Sequence, residues 1–173
     1  MDIQLFGKDS LKIKIKKTTL SVDPKTSIQK FDADAVLLMN ENSDVSRINN
    51  YRVVVDGPGE YEIGGLKVLG IKTGDNIIYT LSYQNVATII AKASCLNGTS
   101  VDKLGEYPVA IINADSDLNQ DVLTAIEPRV IVLYGEKAKE GAKSLGKENI
   151  SPSSKITVSE EKLPEELDVM LLL

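Results

Sequence analysis

The densest group of side chains able to do chemistry is Asn40-Glu41-Asn42-Ser43-Asp44, an oxygen-bearing cluster directly after the apolar run Ala35–Met39. Such amides and carboxylates are hard oxygen ligands of the kind Ca²⁺ or Mg²⁺ takes. The spacing and glycine of a calcium loop are missing, however, and turn and cap duty is the better account of these residue types. The chain contains no histidine, so the side chain best suited to acid–base work near neutral pH is absent. Zinc and iron sites, which favour imidazole and thiolate, are disfavoured on the same ground. The single cysteine, Cys95, follows an apolar run and has no imidazole to activate it, so a buried structural thiol is expected; Lys92, close in sequence, is the one group that would lower its pKa. Ser43, Ser94 and Ser116 lack a base as well. Gly57-Pro58-Gly59 leads into a strand pattern, not into a helix whose amides could hold an anion, and reads as a tight corner.

The elements that must position the cluster are mostly strands. Ala35–Met39 is continuously apolar and reads as a strand buried on both faces, and ligands of α/β proteins bind beyond the carboxyl ends of such strands. Before it, Ile3–Phe6, Leu11–Lys16 and Thr19–Val22 have the spacing of an antiparallel meander closed by the turn signal Asp23-Pro24. Thr26–Phe31 is a short connection with room for one helical turn, and Ser46–Asn50 is a turn. Strands are expected at Tyr51–Asp56, Glu60–Ile63, Leu66–Ile71, Ile77–Tyr83 and Val86–Lys92, with Gly64-Gly65 as a two-residue hairpin.

The texture changes near Gly98. A short helix is expected over Ser100–Leu104, and buried strands over Pro108–Ile112 and Arg129–Tyr134. Between those strands lies a helix that Asp117 would cap with Gln120 as partner, burying Leu118, Val122 and Ile126. Lys137–Leu145 is a weaker helix interrupted by Gly141 and stopped by Gly146. Lys155–Val158 and the tail Leu167–Leu173 read as strands; Val169–Leu173 is either a buried terminal strand or a subunit contact. Leu38–Asp44 echoes Ile111–Asp117, each an apolar run entering an Asx/Ser cluster, which suggests two halves built alike with both clusters on one edge.

Composition bounds the class. The chain has 173 residues, 42% hydrophobic and 26% charged, with net charge −5. That balance disfavours nucleic acid or an anionic membrane as partner. The Lys12–Lys17 stretch alternates lysine with isoleucine and reads as a strand with one wet face. No apolar run approaches the roughly 20 residues of a membrane span, and the first residues lack the layout of a signal peptide, so a cytoplasmic location is expected.

The order of elements and the segment Val55–Ile71, V-D-G-P-G-E-Y-E-I-G-G-L-K-V-L-G-I, resemble the small bacterial branch of the metallo-β-lactamase fold superfamily that is similar to ascorbate-6-phosphate-lactonase-like hydrolases. Thr19–Pro24, Asp34–Met39, Ile126–Val132 and the tail Lys162–Leu173 extend the resemblance along most of the chain. It implies an α/β fold, a four-layer αββα sandwich reduced in size with mostly antiparallel sheets. It also implies one domain over residues 1–173 made of similar halves, approximately 1–95 and 96–173. Active members carry a His-x-His-x-Asp-His signature, whose positions here read Asn40, Glu41, Asn42, Ser43, Asp44 and Val45. Further family histidines would fall near Ala91–Ser94 and within Leu133–Gly135, where none stands.

The resulting expectation is a pseudoenzyme, with no catalytic residue, metal or cofactor. Asn40, Asn42, Asp44 and Val45 would be vestigial site positions, and Glu41, Asp115 and Asp117 further polar residues of the pocket. The protein would act as a binding or oligomeric interaction module, through self-association or a protein partner. The alternatives are a small-ligand binder in the vestigial pocket and a hydrolase with an atypical oxygen-ligand metal site.

Overall fold

The period-two patterns of the N-terminal third fold as expected. In the computed structural model, which describes residues 1–84, 86–99, 104–159 and 162–173, β1 (Asp2–Phe6), β2 (Ser10–Ile15) and β3 (Thr18–Val22) form an antiparallel meander. Leu11, Ile13 and Ile15 of β2 are buried while Lys14 faces solvent. The chain then crosses over to lay β5 (Ala35–Leu37) parallel to β3, and β7 (Val53–Val55) parallel to β5. A late strand, β14 (Lys155–Thr157), closes the far edge by pairing antiparallel with β1.

Two connections differ from the sequence reading. Thr26–Phe31 forms no helix, and the segment after Asp44 is more than a turn. A 3₁₀ turn at Val45–Arg47 leads into β6 (Ile48–Asn49), which pairs in parallel with β4 (Phe31–Asp32). The cause is the outer face of the first sheet, where Val36 and Val54 need cover. Ile28, Phe31, Ala33 and Ile48 bury over them, and the Phe6 and Phe31 rings stack with centroids 4.7 Å apart.

The second sheet begins with β8 (Gly59–Ile63), β9 (Leu66–Thr73), β10 (Asn76–Tyr83) and β11 (Val86–Lys92), all antiparallel neighbours. Gly64 and Gly65 turn the first hairpin at φ 59° and 82°, values that favour glycine at both positions. The Gly57-Pro58 corner lies against Gly70, where a Cβ would come within 2.6 Å of the Gly57 carbonyl. The sheet continues in parallel through β12 (Val109–Asn113), β13 (Val130–Tyr134) and the C-terminal β15 (Asp168–Leu171). Val169, Leu171 and Leu172 are buried, so most of the apolar tail belongs to a core strand, while Leu173 is exposed at its end.

Helices α1 (Ala93–Asn97), α2 (Gln120–Ile126) and α3 (Ala138–Ser144) cover the outer face of this sheet, packing Val122, Ile126, Ala138 and Ala142 on Ile112, Ile131 and Leu133. The expected cap of α2 is displaced. Asn119, not Asp117, accepts the Asp121 amide at 2.9 Å, and Gln120 reaches Ser144 instead of closing a capping box. Gly141 sits inside α3 because Leu118 presses on it: a Cβ there would lie 3.1 Å from Leu118 Cδ1. The helix expected over Ser100–Leu104 falls largely outside the described residues.

The two sheets face each other across a core that includes Ile13, Leu20, Leu37, Tyr79, Ile111 and Val132. The architecture is a β-sandwich with helices on one outer face and a loop layer with a short parallel pair on the other.

Candidate functional site

At one end of the sandwich the chain leaves β3 through Asp23, which takes φ 44° although it is not glycine, and which is 2% exposed. This bend aims its carboxylate beneath the Asn40–Asp44 loop. Oδ1 accepts the Met39 amide at 2.7 Å and the Ser43 hydroxyl at 3.1 Å, and Oδ2 accepts the Asn40 side-chain amide at 3.1 Å. Burial pushes the carboxyl above the ordinary aspartate range, and the Met39 amide and the Lys92 charge oppose that rise without cancelling it.

Facing this loop are the carboxyl ends of the parallel strands. Lys92, Asn113 and Tyr134 are in register across β11, β12 and β13. They continue the inward-facing positions Ile90, Ile111 and Val132, so all three side chains stand on the face turned toward the first sheet. Asn113 is 5% exposed and Tyr134 is fully buried. The Tyr134 hydroxyl lies beside Asn113 but makes no hydrogen bond of proper geometry. Burial raises this phenol well above its ordinary range, and the negative charges of Asp23, Asp9 and Asp115 add to the effect. Gly135, at φ 92°, permits the packing here, because a Cβ would meet Asn113 Oδ1 at 2.3 Å.

Between the loop and the strand ends lies a cavity of about 610 Å³, bordered by Asp23, Asn40, Asn42, Lys92, Asn113 and Asp115. Lys8 and Lys25 stand at its mouth with Asp9 and Glu136. The internal echo therefore has a spatial counterpart. Asn40 and Asn113, and likewise Asn42 and Asp115, occupy matching places in the two repeats and line one cavity.

The third pair of the echo turns away. Asp44 caps the 3₁₀ turn by accepting the Ser46 amide at 2.7 Å, and bonds to Ser46 hold its carboxyl below the usual range. Asp117 pairs on the surface with Lys137 at 2.9 Å. Neither borders the cavity, contrary to the expected pocket. Val45 packs under the loop layer of the first sheet, and exposed Glu41 borders a separate, smaller cavity with Asp56 and Lys72. Asp115 does border the main cavity, but its oxygens accept the Ser94 amide and hydroxyl at 2.9 and 2.5 Å. Cys95 is buried, and burial raises its thiol despite Lys92, the environment of a structural thiol.

Sequence reasoning missed Asp23, which read as a turn residue, and the row Lys92–Asn113–Tyr134. The available signal was position: each residue of the row closes an apolar run, and strand ends are where α/β folds place ligands. Among the described residues, no group of three or more His, Cys, Asp or Glu side chains is placed to hold a metal ion.

No family model matches the sequence, and no curated protein matches it. Solved structures do. A Thermotoga maritima protein whose structure carries the description of a Zn-dependent hydrolase of the metallo-β-lactamase superfamily superposes with TM-score 0.78 at 19% identity, covering 99% of this chain and 98% of its own. The isothiocyanate hydrolase from Delia radicum gut bacteria aligns with TM-score 0.60 at 10% identity over 92% of this chain and 99% of that one. A metallo hydrolase of the hyperthermophilic archaeon Ignicoccus hospitalis aligns with TM-score 0.57 at 8% identity, covering 91% and 99%. These likenesses, spanning nearly whole chains at low identity, establish the architecture: the chain has the metallo-β-lactamase fold.

Proposed function

We propose that this protein is a pseudoenzyme of the metallo-β-lactamase fold, a binding module that works in the pocket between the sheet ends without a catalytic metal. The observation that carries the reading is the state of Asp23. The carboxylate at the base of the pocket already accepts three hydrogen bonds from its own chain. Its neighbours do not complete a ligand set. Asn40 and Asn113 are amides, which are weak neutral ligands, and Lys92 brings an ammonium group to the place where a cation would have to sit. Asp44 and Asp115 are committed to Ser46 and Ser94. The donor set therefore does not fit the dinuclear centre that the resemblance implies, and among the described residues no group of three or more His, Cys, Asp or Glu side chains is placed for an atypical oxygen-ligand site.

Of the two binding modes expected from sequence, the pocket is favoured over self-association. Self-association rests on a retained scaffold with an erased site and on the apolar tail, and most of that tail is buried in the core.

Elemental mass spectrometry on protein purified without a histidine tag or chelator tests the reading. Less than about one-tenth equivalent of any transition metal is expected, before and after incubation with zinc, manganese or iron and desalting. Hydrolysis of phosphodiesters, lactones and β-lactams should stay at background. A full equivalent of zinc, manganese or iron, or turnover of any of these substrates, overturns it.

A further inference from the structure

Resting on that binding reading, we propose that the pocket recognises the oxyanion head group, carboxylate or phosphate, of a small molecule through Lys92 and Asn113, with Tyr134 next in the row as a positioning residue. Lys92 and Asn113 border the cavity, and neighbouring strands lie about 5 Å apart, so an ammonium and an amide stand side by side on its wall. Tyr134, the next residue of the row, is fully buried beside Asn113 and does not border the cavity. Between them these side chains offer N–H and O–H donors in excess of what the protein uses. The Tyr134 hydroxyl is buried without a partner. The Asn113 side chain, almost fully buried, makes no hydrogen bond of good geometry with Tyr134. No hydrogen bond or ion pair engages the half-buried Lys92 ammonium among the described residues.

Buried donors without acceptors are costly, and an acceptor that reaches several of them at once recovers that cost. An oxyanion does so with two or three oxygens and also neutralises Lys92. Among the described residues the carboxylates of the cavity make no hydrogen bond or ion pair with Lys92 or Asn113, although the Asp23 and Lys92 charges attract through space. Asp23 accepts from Met39, Asn40 and Ser43, and Asp115 accepts from Ser94. Asp9 and Glu136 remain at the mouth. Lys8 and Lys25 stand there too, so the mouth carries both signs and the recognised feature is the oxyanion head itself.

The test is an amide chemical-shift titration by NMR at constant ionic strength. The probes are inorganic phosphate, propionate and, as a cationic control, putrescine. The variants are Lys92→Gln, Tyr134→Phe and, on the surface, Lys137→Gln. Saturable shifts around Lys92, Asn113 and Gly135 with phosphate or propionate are expected, and whichever anion binds identifies the head group. Lys92→Gln should weaken that binding about tenfold or more, the usual consequence of losing a charge-assisted hydrogen bond. Tyr134→Phe, one step removed from the cavity, should weaken it less than Lys92→Gln does while leaving the melting temperature unchanged or higher, because the lost hydroxyl makes no hydrogen bond of proper geometry in the free protein. Lys137→Gln should bind like the parent. No saturable shifts with either anion, or equal binding by Lys92→Gln, overturns the proposal. Saturable binding of putrescine alone at these amides would refute the oxyanion while leaving the binding module standing. Stoichiometric metal in the purified protein would instead refute the module.

Discussion

The Tyr79 hydroxyl, on the central part of β10, donates across the sandwich to the Leu38 carbonyl at 2.8 Å, where the first sheet runs out into the Asn40 loop. The same hydroxyl lies 2.7 Å from the Val55 carbonyl, and the Met39 carbonyl accepts the Ile77 amide at 3.0 Å. These bonds tie the floor of the pocket loop to the opposite sheet. They explain why a tyrosine is fully buried in an aliphatic core: its ring fills volume and its hydroxyl gives the Leu38 carbonyl a donor.

Tyr79→Phe keeps the ring and removes the tie. The Leu38 carbonyl would then lose this donor in a dry interface, which costs about 1–2 kcal/mol, while the Val55 carbonyl keeps the Leu38 amide at 2.9 Å. Urea unfolding should show a lower midpoint with an unchanged slope. An unchanged midpoint would mean that water replaces the hydroxyl and that the two sheet ends are not coupled through this residue.

Asp23 makes stability depend on pH in an unusual direction. Burial raises its carboxyl in the folded protein, so the folded state binds this proton more readily than the unfolded chain does. The favourable contribution is complete below about pH 4, the ordinary aspartate range, and is lost as pH rises through the higher folded value. Asp2, held down by Thr157 and Lys155, and Asp44, held down by Ser46, act in the opposite sense: their stabilisation is present above that range and lost as pH falls. The difference between parent and Asp23→Asn isolates the first effect. Thermal midpoints from pH 4 to 7 should fall for the parent relative to the variant as pH increases, and parallel curves would refute the assignment.

Asp44→Ala separates the role in the pocket expected from sequence from the one the structure assigns. Losing the cap of the Val45–Arg47 turn should lower the melting temperature slightly and leave phosphate or propionate binding unchanged. Weakened binding at unaltered stability would place Asp44 in the site after all.

Much of the fold was legible in local patterns because those patterns report burial directly. The alternation Leu11-Lys12-Ile13-Lys14-Ile15 specifies a one-sided strand, Gly64-Gly65 specifies a hairpin, and Val109–Asn113 and Val130–Tyr134 can be buried on both faces only inside a sheet. Short elements escaped where tertiary cover decided them. Phe31 pairs with Ile48 because the outer face of β5 and β7 needed a lid, a fact that neither segment encodes alone. The candidate site divides in the same way. Sequence by itself determined the chemistry that is missing, since a chain without histidine has no imidazole anywhere. It also marked Asn40, Asn42 and Asp115 by their position after apolar runs. Only the tertiary structure turned Asp44 and Asp117 away, brought Asp23 beneath the loop, and set Lys92, Asn113 and Tyr134 in one row. The reason is register: which strand ends become neighbours depends on pairings between segments about 20 to 40 residues apart, and no local pattern specifies them.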